Sequence, residues 1–369
     1  MDKNITSLRN FSDVYFDKTS SDDIEKRYFA ACNTCRGFKN YFPEIFNFDT
    51  LKKIYVLKGG PGCGKSTLLK RIAIQAKLRG YSTELFHCSS SPYSLDGVII
   101  NELSVGVLDG TSPHAFEPVI SGCTEIIVDL GRSFDTEALF EKKETLAMLT
   151  NAKKQEYKSA YKLLSCVNDI DSYISDFVSP HIYYGKMRES IKRIFKKNIS
   201  KGTVYKEIPR IVHANSCAGN IYMKTFSDMA GFTYFISDCK GAEKVFMNEV
   251  KFFAKNYLKK TLVSYNPTNP DFTDAVYFPD DKVLFSTLCR TNYDKKINTE
   301  RFIDSAEIKK SKEKLLFAAK LKKSLYDGAY SSFYNAGILH EKIESIYTPA
   351  IDFDCINSIS EFLVNKIFK

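Results

Sequence analysis

The chain has 369 residues, which exceeds one average domain and is enough for two. Hydrophobic residues make up 44% of it and aromatic residues 14%, which excludes an intrinsically disordered protein. The formal net charge of +9 is a mild basic excess that suits an anionic ligand such as a nucleotide. The N-terminal segment has no apolar signal core, and no run reaches the ~18 apolar residues of a membrane span. We therefore expect a cytoplasmic protein without a membrane span.

The ten cysteines are scattered along the chain, and without an export signal this predicts reduced thiols. Cys32 and Cys35 have CxxC spacing, but no second pair or HxxxH motif completes a zinc site, so we interpret them as turn residues. Lysine clusters at 189–198 and 309–324 are interrupted by glutamates and apolar residues. This pattern favours solvated helix faces over a nucleic-acid interface, and we expect no nucleic-acid partner.

The strongest motif is GGPGCGKST at residues 59–67, a full match to G-x-x-x-x-G-K-[ST]. The short apolar run before it predicts a buried strand, and the segment after it has helical periodicity that ends at Gly80. Strand, phosphate-binding loop and helix therefore follow in the required order. The predicted nucleotide-binding residues are Gly59, Gly60, Pro61, Gly62, Cys63, Gly64, Lys65, Ser66 and Thr67.

Each part of this motif has a chemical role toward a Mg²⁺-nucleotide. The glycines let the backbone curl so that successive N–H groups point at the phosphates, and the helix adds its positive N-terminal end. Lys65 is predicted to reach the β and γ oxygens, and Ser66 is predicted to place its hydroxyl on Mg²⁺. The sequence thus predicts ATP or another nucleoside triphosphate, together with Mg²⁺, as ligands.

A second acidic residue at the end of a neighbouring strand is needed for the magnesium shell. Asp109 follows the apolar run 105–108, and Asp129 follows the run 126–128. We favour Asp109, because a turn-rich stretch separates its strand from the preceding one. The alternative is that the residue is an ordinary turn aspartate at a strand end.

No glutamate follows Asp109, so a group that activates water must come from elsewhere in the sequence. Asp96, Glu102 and His114 are near in sequence and chemically able to accept a proton. Each also has a structural interpretation, since Asp96 lies in a turn, Glu102 is polar enough to be solvated, and His114 follows a proline.

The second half of the chain repeats the first. Lys244 takes the place of Lys65, the segment 260–288 aligns with 82–110, and 326–351 aligns with 157–182. Because these matches are collinear, we predict a tandem duplication. The predicted division is an N-terminal extension (1–26), a first domain (27–200), a linker (201–209) and a second domain (210–369). Helix-rich segments are expected at about 135–200 and 302–369, each packed as a helical hairpin beside its sheet rather than as a lid or a partner-docking surface.

The second loop departs from the motif at the positions that phosphate and metal need. Asp238, Cys239 and Glu243 replace glycines, Val245 replaces the serine, and Thr287 replaces Asp109. Side chains at the glycine positions resist the loop conformation, carboxylates repel phosphate, and valine cannot ligate magnesium. We therefore predict a decayed second site.

The segments RYFAACNTCRGFKNYF, LKGGPGCGKSTLLKRI, HCSSSPYSLDGVIINEL and VGVLDGTSPH resemble a group of bacterial tandem P-loop ATPases of unassigned role. The resemblance covers nearly the whole chain. It implies an α/β fold with two tandem P-loop NTPase-like domains, each a mainly parallel sheet flanked by helices and followed by a helix-rich segment. It also implies a nucleotide ligand, and it points to residues 59–67 and Asp109, with Asp96 and His114 as companions. Relatives often keep a recognisable second loop, from which this chain departs.

Three functions follow from these patterns. The first is a Mg²⁺-dependent ATPase with one active site, which drives a movement against an unidentified protein partner. The second, from a different class, is a nucleotide-gated binding module with little turnover. The third is a small-molecule kinase, for which the sequence offers no Arg-rich lid, since Arg36 and Arg132 are isolated.

Overall fold

The computed structural model describes residues 25–237, 240–288 and 292–369. Most of the predicted N-terminal extension lies outside these ranges, as do Asp238 and Cys239 of the second loop. The strands are β1 (Glu25–Phe29), β2 (Ala31–Thr34), β3 (Gly37–Asn40), β4 (Lys53–Lys58), β5 (Thr83–His87), β6 (Leu95–Ile100), β7 (Val105–Asp109), β8 (Glu125–Asp129), β9 (Lys206–Pro209), β10 (His213–Ser216), β11 (Gly219–Tyr222), β12 (Phe232–Ser237), β13 (Lys260–Tyr265), β14 (Thr273–Phe278), β15 (Val283–Ser286) and β16 (Lys295–Asn298).

The α-helices of the described residues are α1 (Phe42–Ile45), α2 (Lys65–Leu78), α3 (Thr136–Glu141), α4 (Lys143–Val178), α5 (Tyr184–Asn198), α6 (Thr225–Met229), α7 (Ala242–Asn256), α8 (Ser305–Lys310), α9 (Lys312–Tyr347) and α10 (Phe353–Ile367). Short 3-10 turns lie at Gly131–Ser133, Ser179–His181, Thr299–Phe302 and Thr348–Ala350. Among the described residues, no helix combines the length and apolar character needed to cross a membrane.

Two six-stranded sheets have the same strand order. The first runs β1-β5-β6-β7-β4-β8, and the second runs β9-β13-β14-β15-β12-β16. In each, one strand (β6 or β14) is antiparallel to both of its neighbours, and the other neighbouring pairs are parallel. The predicted α/β class, with mainly parallel sheets flanked by helices, is confirmed at this level. The repeated order is compatible with two tandem domains.

The smaller elements repeat as well. A β-hairpin (β2 with β3, or β10 with β11) and a short helix (α1 or α6) follow the first strand of each half. Residues 206–209 of the predicted linker form β9, which pairs with β13 at the edge of the second sheet. This part of the linker therefore belongs to the second sheet.

The long helices α4 and α9, of 36 residues each, pair with each other. They run antiparallel, because Lys153 near the start of α4 contacts His340 near the end of α9, whereas Asp171 contacts Lys322. At 1.5 Å per residue each helix spans roughly 54 Å. This arrangement differs from the expected hairpin within each half, since the strongest packing partner of each long helix lies in the other half.

Because of this pairing, the last helix of each half packs against the sheet of the other half. Phe195 of α5 packs against Phe253 of α7 in the second half, with ring centroids 5.4 Å apart. Ile356 and Leu363 of α10 share a buried core with Leu68 of α2 in the first half. Because these contacts bury apolar surface, each half completes the core of the other.

The two halves meet about an approximate twofold axis. Ala160 and Ala329 occupy equivalent positions on α4 and α9, and both are fully buried where the helices cross. Nearby, the Asn33 side-chain amide donates to the Asn215 carbonyl at 2.9 Å, and the Asn215 amide donates to the Asn33 carbonyl at 3.0 Å. Tyr161 and Tyr330 donate to the side-chain oxygens of Asn33 and Asn215, respectively. The reciprocal bonds fix the relative positions of the halves.

The close approach of α4 and α9 predicts a strong effect of side-chain size at the crossing. Ala160→Leu is expected to lower the free energy of unfolding by roughly 1–3 kcal/mol, because extra methylenes in a packed core force neighbours to move. Ala147→Leu, at an exposed position of the same helix, is the control and should change it by less than about 0.5 kcal/mol. Urea unfolding followed by circular dichroism measures both, and equal stability of the two variants would contradict the crossing.

Candidate functional site

The glycine-rich loop connects the end of β4 at Lys58 with the start of α2 at Lys65. Gly62 and Gly64 have φ of +75° and +76°, in the left-handed region that a side chain resists. A Cβ at Gly59 would lie 2.6 Å from the Cys63 sulfur. No side chain among the described residues caps the N-terminus of α2, so its first amide groups remain available to an anion.

The Lys65 side chain folds back over this loop. Its Nζ donates to the carbonyl oxygens of Gly59 at 2.9 Å and Gly60 at 2.8 Å. The Asp109 carboxylate lies 3.8 Å away, and both side chains are largely buried. Lys65 is therefore held at the loop by acceptors that an incoming anion can replace.

The two aspartates considered from the sequence lie on opposite sides of β4. Asp109 ends β7 and Asp129 ends β8, and both strands pair in parallel with β4. Asp109 is partly buried beside Lys65, and its Oδ1 accepts the Thr111 amide at 2.9 Å. Asp129 is exposed and accepts the Gly131 amide at 2.8 Å, which makes it a turn residue. Asp109 is thus the carboxylate that the fold brings to Lys65.

The antiparallel strand β6 brings Asp96 to the same edge of the sheet. Because β6 is reversed, its first residues lie where β4 and β7 end. The hydroxyl of Ser66 accepts the Leu95 amide at 2.9 Å, which ties the start of β6 to the start of α2. Ser66 and Asp96 thus lie at the same edge of the sheet as Asp109, and hydroxyl and carboxylate oxygens are donors of the kind that Mg²⁺ prefers.

Asp96 belongs to a buried polar group with His114 and Cys88. His114 Nε2 lies 3.2 Å from the Asp96 carboxylate, and the ligand atoms of all three residues lie within 4.8 Å of one another. The ring of His114 is held by Phe38, with centroids 4.9 Å apart. Its Nδ1 is buried and has no hydrogen-bond partner in the described part of the chain. The group can hold a proton, and its donor set also suits a cation.

Burial controls the protonation of this group. It raises the pKa of Asp96 to about 6, although the nearby His114 acts in the opposite direction. Burial, and to a lesser extent the Asp96 charge, raises the pKa of the Cys88 thiol well above its usual range. Cys88 was not indicated by the sequence, because its distance along the chain from Asp96 and His114 matches no ligand-spacing motif.

The structure does not bring Glu102 to this group. Glu102 follows β6 and accepts hydrogen bonds from the amide and the hydroxyl of Ser82, just before β5. Both residues therefore lie at the sheet edge opposite to the glycine-rich loop. Glu102 holds two strands together there.

The end of α9 and the turn after it lie against the loop, although they belong to the second half. A Cβ built on Gly62 would be 3.2 Å from Thr348 Oγ1 and 3.7 Å from the Glu344 carbonyl, and one on Gly60 would be 3.2 Å from the Tyr347 ring. A Cβ on Gly64 would be 3.6 Å from Ile356 of α10. No sequence pattern indicates these neighbours, because only the antiparallel pairing of α4 with α9 brings them here.

The equivalent loop of the second half is filled by carboxylates. Glu243, 7% exposed, accepts the Gly241 amide at 3.1 Å. Asp171 of α4, in the first half, lies 3.1 Å from Lys244 Nζ and 2.6 Å from Lys322 Nζ. Protein carboxylates thus contact the Gly241 amide and Lys244 at 3.1 Å each, whereas Lys65 in the first half has its nearest carboxylate, Asp109, at 3.8 Å.

Comparisons with known protein families, with curated proteins and with solved structures gave no match to this chain.

The raised pKa of Asp96 predicts a pH dependence of stability. Because the folded protein favours the protonated carboxyl, this contribution is complete below the ordinary pKa of 3.8 and is lost as pH rises through about 6. Relative to Asp96→Asn, the free energy of unfolding of the wild type should fall by roughly 2 kcal/mol between pH ~4 and pH ~6.5. Urea unfolding at a series of pH values measures the difference.

The matched control is Asp49→Asn, at an exposed position, which separates the effect of Asp96 from that of an aspartate lost at the surface. A difference between wild type and Asp96→Asn that stays constant over this pH interval would show that Asp96 titrates normally in the folded protein.

Proposed function

We propose that the chain is a Mg²⁺-dependent nucleoside triphosphatase that uses ATP, with one active site at residues 59–67 of the first half. The observation that carries the proposal is the loop itself. Two of its glycines have positive φ, the helix after it has no side-chain cap at its N-terminus, and Lys65 lies beside Asp109. Backbone amides at a helix N-terminus, together with a lysine that can turn toward them, are suited to bind phosphate.

Each side chain has a role in this proposal. The loop amides bind the phosphates, and Lys65 leaves the carbonyls of Gly59 and Gly60 to neutralise charge on the transferred phosphoryl group. Ser66 and Asp109 hold Mg²⁺, which supplies charge neutralisation and alignment of the phosphate oxygens. The Asp96–His114 pair accepts the proton of the attacking water, since both groups are buried at the same edge of the sheet.

The proposal assigns no hydrolysis to the second half. Its loop amide and lysine are already occupied by Glu243 and Asp171, so a phosphate would have to displace buried, paired carboxylates. Displacing them leaves charges without partners, which costs several kcal/mol. This supports the interpretation of the second site as decayed.

A nucleotide-gated binding module is the second candidate. The contact of Tyr347 and Thr348 with the loop favours it, because a nucleotide that alters the loop would act directly on the end of α9. Slow turnover combined with tight binding distinguishes this candidate from the ATPase. The small-molecule kinase has less support, because Arg36 pairs with the exposed Asp271 on the surface.

Substitution of the two equivalent lysines tests the location of the site. Lys65→Ala is expected to weaken binding of Mg-ATP at least tenfold, because a charge-assisted contact to phosphate contributes about 1.5–3 kcal/mol. Lys244→Ala should change it less than about twofold. Isothermal titration with ATP and GTP measures both variants, after circular dichroism has shown that they fold. Loss of binding in Lys244→Ala would place a working site in the second half.

The metal ligand is tested by the two aspartates that flank β4. Asp109→Asn is expected to lower the rate of Mg²⁺-dependent phosphate release by on the order of 100-fold, since it removes a charged metal ligand. Asp129→Asn, at the exposed turn on the other side of β4, is the matched control and should leave the rate unchanged. An equal loss in both variants would contradict the assignment, and absent release by the wild type would favour the binding module.

A further inference from the structure

The approximate twofold axis makes positions on α4 and α9 equivalent, so the surroundings of the two loops can be compared residue by residue. Ala160 corresponds to Ala329, and by the same register Asp171 of α4 corresponds to His340 of α9. Lys322 likewise corresponds to Lys153. Asp171 contacts Lys322, and the equivalent contact joins His340 and Lys153. Each contacting pair has one side chain from each half and lies where the long helices pass a loop.

At the second loop, one carboxylate pairs with two lysines. The Asp171 carboxylate lies between Lys244 and Lys322, at 3.1 and 2.6 Å, with only 15% of its side chain exposed. Lys244 is the loop lysine and is 18% exposed. A single carboxylate therefore pairs with the loop lysine and the helix lysine together.

At the first loop, the central carboxylate is replaced by a histidine. His340 Nδ1 lies 3.4 Å from Lys153 Nζ, in the position where Asp171 meets Lys322 in the other half. Within the described residues, Asp109 is the only carboxylate within 4 Å of the Lys65 ammonium. Glu344, one turn after His340, lies 3.6 Å from its Nε2 and offsets part of the charge.

His340 is placed toward the first loop by its equivalence to Asp171, which lies 3.1 Å from the loop lysine Lys244 of the second half. The Glu344 carbonyl lies 3.7 Å from a Cβ built on Gly62, and residues four apart share one face of a helix. Burial and the charges of Lys153 and Lys65 lower the pKa of His340, and burial lowers the pKa of Lys153. Lys153 and His340 thus form a contacting pair of basic groups from the two long helices, and an anion beside them would stabilise the charged form of both.

We infer that Lys153 and His340 bind the terminal phosphate of a nucleoside triphosphate whose other phosphates lie in the glycine-rich loop. In the second half, Asp171 occupies the equivalent position, so that a protein carboxylate stands where the first half accepts a phosphate. The inference rests on the proposed function. It adds that the site is composite, with one ligand from α4 and one from α9, and that it distinguishes a triphosphate from a diphosphate.

The test measures binding of a non-hydrolysable ATP analogue and of ADP, both with Mg²⁺, by isothermal titration to the full chain. The wild type is expected to bind the triphosphate at least tenfold more tightly than the diphosphate. Lys153→Ala should weaken triphosphate binding about tenfold or more while changing diphosphate binding less than about threefold. Lys322→Ala, the same change at the equivalent position of the second half, is the matched control and should preserve the ratio.

Substitution of His340 supplies the second arm. His340→Asp introduces the carboxylate of the second half beside Lys65 and Lys153, and should weaken triphosphate binding on the order of 100-fold. His340→Gln keeps a polar side chain without this charge and serves where His340→Asp does not fold. It should bring the ratio of the two affinities close to one.

Each remaining outcome contradicts a defined part of the inference. Unchanged affinity for both nucleotides in Lys153→Ala and His340→Gln would overturn it while leaving the proposed function intact. An equal loss for both nucleotides would also overturn it, because the residues would then support the loop rather than bind the terminal phosphate. A wild type that binds neither nucleotide would overturn the proposed function and the inference together.

Discussion

The antiparallel pairing of α4 with α9 is the contact on which the rest of the structure depends. Fully buried alanines at the crossing let the helices approach, and the reciprocal bonds of Asn33 and Asn215 hold the hairpins beside it. Because each long helix is continuous with the segment that follows it, the pairing carries α5 and α10 to opposite sheets. Neither half therefore has a complete hydrophobic core alone, and loss of this pairing would expose apolar surface on both.

This exchange gives the second loop and the helix after it a structural role. The helix after it, α7, buries Phe246, Met247 and Val250 in the core that α5 completes, so the strand, loop and helix are needed for stability. The loop amide and lysine still require anionic partners once phosphate is absent. Glu243 supplies a carboxylate from within the loop, and Asp171 supplies one from the other half.

Local signals predicted the loop and the elements around it, because glycine conformation and helix periodicity depend on adjacent residues. The match of the second half to the first likewise predicted the repeated strand order. The exchange of α5 and α10 was not predictable, since an amphipathic pattern shows that a helix buries a face but does not identify its partner. Cys88 was missed for the same reason, as its proximity to Asp96 arises only from tertiary contacts. The contact of Lys153 with His340 likewise arises only from the pairing of the two long helices.

The two halves differ both in the loop and in the long helix that faces it. The first loop keeps Ser66 and Asp109, and the helix beside it presents a histidine. The second loop has lost both, and the helix beside it presents Asp171. The loop and the helix that faces it belong to different halves, so the surroundings of each loop are built from both halves. The helix pair thus lines both loops, and the helix whose end lies against the first loop also forms the crossing at Ala329.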